Sequence, residues 1–141
     1  MASLALKKRL KEKRGVALIE TAIVMLLLIL ITFGIMEYSW LFHRIQQMNG
    51  IARAGARQAV LPDSTLLAVQ TSVQAVANAH GIYGYTMTIT PGDIVVLGSG
   101  ELITVTVEVP YENVKLLGGA LFPMPSPLRA AVTMAKEGGS P

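Results

Sequence analysis

The chain has no cysteine among its 141 residues, which excludes a disulfide framework and a thiolate metal site. An extracytoplasmic domain can be built without disulfides, so this absence leaves export open. Charged residues are also scarce, at 15%. The two histidines, His43 and His80, have no companion at metal-ligand spacing and are read as ordinary. No nucleophile–base set, phosphate loop or paired carboxylates in an evident pocket can be recognised. The chain is therefore expected to have no catalytic residue, no cofactor and no metal, and not to be an enzyme.

What is abundant is apolar surface, in one place. Val16–Met36 holds 21 residues with a single charge, Glu20. At ~1.5 Å per residue such a helix covers roughly 30 Å, the hydrocarbon thickness of a bilayer. The remainder of the chain is too small to surround so long an apolar cylinder. The net charge of +3 is uneven: Lys7, Lys8, Arg9, Lys11, Lys13 and Arg14 against Glu12 make residues 1–15 +5, leaving −2 for the rest. A basic cluster just before a span is the positive-inside signal, which holds the N-terminus in the cytoplasm. It carries no implication of nucleic-acid binding.

The helical pattern continues past the span. Tyr38, Leu41, Ile45, Met48, Ala52, Ala56 and Ala59 recur at three- and four-residue spacing until Pro62 stops it. A second helix is expected after a cap at Asp63 or Ser64, with an apolar stripe of Leu66, Val69, Val73 and Val76 and closure at Gly81. The period then falls to two. Tyr83–Thr90 and Ile103–Val109 read as strands, Asp93–Leu97 as a further candidate and Leu128–Ala135 as a weaker one. A Gly/Pro-rich linker, Gly118–Pro127, leaves strand order open, and the tail from Gly138 is expected to be disordered. The fold class is α+β: a long N-terminal helix, a shorter helix and a small antiparallel sheet. The expected division is a leader at 1–15, a transmembrane helix at 16–37, its extension at 38–60 and a small domain at 61–141.

A secretory signal would be cut after the apolar stretch at small residues. Gly34-Ile35-Met36-Glu37-Tyr38-Ser39-Trp40 offers no such site, so the segment is expected to stay as an anchor. An acid at membrane depth is costly and usually has a partner or a job. If the chain is cut between Gly15 and Val16, a new ammonium appears four residues before Glu20. It can pair with Glu20 of the same helix, or with that of a neighbouring helix and so set their stagger. An uncut leader with Glu20 at the headgroup level is the alternative.

Arg14-Gly15-Val16-Ala17-Leu18-Ile19-Glu20 resembles the class-III-type prepilin peptidase site of type IV pilin-like proteins. Phe33-Gly34-Ile35-Met36-Glu37-Tyr38, Leu41-Phe42, Asn49 and Ala52-Arg53-Ala54-Gly55-Ala56-Arg57 resemble the TadE-like (TadE/TadG) pseudopilins of tight-adherence Flp/Tad type IVb pilus systems. The likeness covers roughly residues 10–60. It implies a pilin-like fold, cleavage at Gly15–Val16 by a membrane aspartic prepilin peptidase, and retention in the bacterial inner membrane with the C-terminal domain in the periplasm. The implied role is a minor pseudopilin in pilus biogenesis. Its implied partners are the lipid bilayer, the peptidase, other pilin or pseudopilin subunits and the Tad inner-membrane assembly platform. Val16 departs from the Phe or Met common in type IV pilins, which weakens an inference of N-terminal methylation more than one of cleavage.

Two rival functions differ from this one: a subunit of a type IV-like filament or secretion pseudopilus, and an uncleaved single-span adaptor with a periplasmic binding domain. Glu37, beside Tyr38, Trp40 and Phe42, is either part of an interfacial belt or an inter-subunit partner of Arg44 or Arg53. Arg53 and Arg57 accompany the small-residue pairs Ala52–Ala56 and Gly55–Ala59, which permit close helix approach. That face is expected to meet another pilin-like helix, or else to be a solvated edge packed on its own sheet.

Overall fold

The computed structural model describes residues 2–116 and 124–138, with side chains from Gly15 onward. Helix α1 runs Ala2–Ala59, α2 runs Leu66–Ala79, and three strands follow: β1 Thr86–Thr90, β2 Leu102–Val109 and β3 Leu128–Ala135. The fold is α+β. The chain divides into two compact units, Met1–Tyr38 and Ser39–Pro141. Linker residues 117–123 and tail residues 139–141 lie outside the described residues.

In the C-terminal unit the last third of α1 shows why its spacing was apolar. Leu41, Met48, Ala52, Ala56 and Ala59 are buried, joined by Ile51 three residues after Met48. Val69, Val73 and Ala77 supply the matching stripe of α2, while Leu66 at its start stays exposed. The expected cap moves by one residue. The Ser64 N–H donates to the Leu61 carbonyl, closing a turn after Pro62 that delays the helix. Thr65, with φ −110° and ψ 155°, is the N-cap instead, its hydroxyl accepting from the Ala68 N–H at 3.2 Å. At the other end Gly81 (φ 62°) donates to Asn78 O and Ile82 donates to Ala77 O, the paired bonds of a Schellman closure.

The sheet is an antiparallel meander in the order β1-β2-β3. Ile103, Val105, Val107 and Val109 of β2 and Leu128 and Ala130 of β3 point into the core. The other face carries threonines; Thr104 and Thr133, opposite one another, share a 2.8 Å hydroxyl hydrogen bond. β1 begins at Thr86 rather than Tyr83, because Gly84 at φ 67° leaves the extended region. Asp93–Leu97 forms no strand. The Asp93 carboxylate accepts from the Val95 N–H at 3.2 Å, a local turn that competes with ladder bonding. The segment is held by Ile94 instead, whose side chain is buried and whose carbonyl accepts from the buried Lys136 ammonium.

Gly55 is where α1, α2 and β2 converge. A Cβ placed there would lie 2.6 Å from Val73 Cγ2 and 3.1 Å from Val105 Cγ1. Both are β-branched and stiff, so relief requires the elements to separate. Overpacking costs about 1–3 kcal/mol, against about 1 kcal/mol gained in helix propensity. Gly55→Ala is therefore expected to lower stability by up to roughly 2 kcal/mol, read as a lower urea midpoint with an unchanged slope.

Candidate functional site

The apolar stretch of the N-terminal unit is exposed along its length. From Val16 to Met36 its large apolar side chains are 41% to 72% exposed. None of its most apolar stretch is buried, and the helix is long and apolar enough to cross a membrane. Folded proteins in water rarely expose a contiguous apolar patch on this scale. The two threonine hydroxyls along the span are satisfied locally: Thr21 donates to Ala17 O at 2.8 Å and Thr32 to Leu28 O at 2.7 Å. These bonds are what a hydroxyl needs where no water reaches it.

Gly15, Val16 and Glu20 lie on this continuous helix and all three are exposed. Val16 and Glu20 are four residues apart and so share a face. A Cβ at Gly15 would meet nothing within 4 Å. Packing within the described residues therefore gives no reason for glycine at that position.

Glu37 is 1% exposed. Its carboxylate is thus closed off from water. Tyr38 and Phe42, by contrast, are exposed. Arg44 is also occupied within its own unit. Its guanidinium lies 4.6 Å from the Trp40 ring centroid and donates to Gln47 Oε1 at 2.9 Å and His80 O at 3.0 Å. The second bond puts a cation on the C-terminal end of α2, where the helix dipole favours it. Trp40 in turn donates its indole N–H to Val114 O at 2.7 Å. This buttress was not visible in the sequence, since its partners are 36 and 74 residues away.

Arg53 and Arg57 are exposed, one turn apart. The small residues beside them do not all share that surface. Ala52, Gly55, Ala56 and Ala59 are buried, so the pairs Ala52–Ala56 and Gly55–Ala59 pack inside this chain and are closed to a second helix. The arginines instead border a groove of about 590 Å³ with Gly50, Ala54, Met134 and Glu137. Gly50 and Ala54 are themselves four apart, a spacing legible beforehand but indistinguishable from the buried pairs. Among the described residues no group of three or more His, Asp or Glu side chains is placed to hold a metal ion.

Fold and helix together define the class: an α+β protein with one N-terminal helix able to span a membrane once. Within it, residues 15–57 match the TadE-like protein family. The match covers the apolar helix and its extension through Arg57, and stops before α2 and the sheet. No curated protein and no solved structure matched the chain.

Proposed function

We propose that the protein is a minor pseudopilin of a Flp/Tad pilus system, processed between Gly15 and Val16 and acting in pilus biogenesis as a structural component. The observation that carries this reading is the exposed helix bearing Gly15, Val16 and Glu20, within a segment that matches the TadE-like family. Gly15 has no packing duty, which suits a residue selected by a peptidase subsite too narrow for a Cβ. Cleavage there removes the six basic side chains and Glu12, and turns Val16 into an ammonium terminus. In a medium of low dielectric that ammonium is stabilised by a carboxylate close by, and Glu20 is the acid on its face. Pairing across neighbouring helices neutralises both charges and fixes the axial offset between subunits.

The basic leader orients the chain with its N-terminus in the cytoplasm and the C-terminal unit in the periplasm. The peptidase, neighbouring pilin-like helices and the Tad assembly platform are the partners of this reading. Its test is intact mass spectrometry of the protein purified from membranes of cells possessing the peptidase. The expected mature chain begins at Val16. A chain retaining residues 1–15 in those cells would favour the uncleaved adaptor.

A further inference from the structure

The cations of the C-terminal unit divide sharply. Lys115 pairs with Glu112 at 2.7 Å and Arg129 with Glu108 at 3.3 Å. Arg44 is held by Trp40, Gln47 and the His80 carbonyl, and Lys136 by the Ile94 carbonyl. Among the described residues Arg53 and Arg57 alone in this unit lack a carboxylate or carbonyl partner, and both border the same groove, with Gly50, Ala54 and Met134. Gly50 deepens the contrast with Gly55. A Cβ at Gly55 would strike Val73, whereas at Gly50 it would meet nothing within 4 Å. A mid-helix glycine costs stability, and no contact in this unit explains that cost at position 50.

We infer that this groove docks an α-helix of a different polypeptide, one bearing two carboxylates a turn apart. Arg53 and Arg57 have the i, i+4 spacing that faces two such acids. Gly50 and Ala54 leave the α1 backbone open to close approach, with Met134 as the apolar wall. Glu137, on the same groove, repels acid at its own end and so selects the orientation. A second copy does not fit. α2 contains no acidic residue. Along α1 from Gly15 onward the acids are Glu20, inside the apolar stretch, and Glu37, which is 1% exposed.

The inference rests on the assembly reading for its partner, a helix in the same membrane complex. Its test places a diazirine-bearing residue at Gly50 of the full chain and irradiates intact cells. The expected product joins the chain to another polypeptide, at a segment with two acids four residues apart. Arg53→Glu/Arg57→Glu is expected to lower its yield at least about tenfold, and Arg53→Gln/Arg57→Gln to lower it less. Exchanging the mapped acids for arginine should restore it in the charge-reversed background. Both arginines are exposed and unpaired, so thermal unfolding of the purified variants should match that of the parent. Cross-linking to a second copy, to lipid alone or to nothing would overturn the inference, as would a yield indifferent to charge reversal. A mature Val16 terminus without an arginine-dependent product would overturn this inference and leave the assembly reading standing. An intact leader with such a product would do the reverse.

Discussion

Gly15→Val is expected to leave the full-length chain in the membrane and remove its mature form. The proposed cleavage assigns Gly15 to a subsite too narrow for a Cβ, which has no room for a branched side chain. One surplus methylene in a fitted pocket already costs roughly 10- to 200-fold in processing efficiency, and valine adds three carbons. The substitution is informative because no tertiary packing occupies the site: an added Cβ at position 15 meets no atom within 4 Å. The measurement is the ratio of precursor to mature protein after a pulse of synthesis. A ratio equal to that of the parent chain would remove Gly15 from the cleavage site.

Glu20→Ala separates processing from assembly. The acid lies on the mature side of the proposed cut and is exposed, so the variant should still be cleaved. What it lacks is the counter-charge for the Val16 ammonium. Removing one member of a desolvated pair leaves the other uncompensated, and a loss of assembled material of roughly 100-fold is expected. Glu20→Gln, which keeps the shape and drops the charge, should behave as Glu20→Ala does. Pili in normal number from cells carrying either variant would dismiss the charge pair as an assembly device. A normal result for Glu20→Gln beside a defective Glu20→Ala would mark the side chain's bulk, and not its charge, as the requirement.

Much of the molecule was legible in the residues because the relevant forces are local. A run of apolar residues from Val16 to Met36 can only be long helix or membrane span, and the period-two alternation of Ile103–Val109 reappears as the core face of β2. Gly81 closes α2 because a left-handed residue there is a property of the chain's own backbone. Where two local solutions were nearly equal, the sequence alone could not separate them. Asp63, Ser64 and Thr65 can all cap a helix, and a turn hydrogen bond from Ser64 to Leu61 decided for Thr65. Asp93–Leu97 has strand-like composition, yet the Asp93 carboxylate accepts from the Val95 N–H and the segment lies down as a loop.

The interaction surface shows the limit most clearly. Gly50, Ala52, Ala54, Gly55, Ala56 and Ala59 are six small residues in one stretch of helix, and helical spacing sorts them into faces without saying what each face meets. Only the packing of α2 and the sheet decided that Ala52, Gly55, Ala56 and Ala59 turn inward. Gly50 and Ala54 were left on the groove with Arg53 and Arg57. Arg44 was separated from those two arginines in the same way, by a tryptophan four residues before it and a carbonyl 36 residues beyond it. By itself the sequence determined where the chain is apolar, where it bends and which charge stands alone in the span. Tertiary structure decided which polar groups are consumed internally, because satisfaction depends on partners that only folding brings within bonding distance.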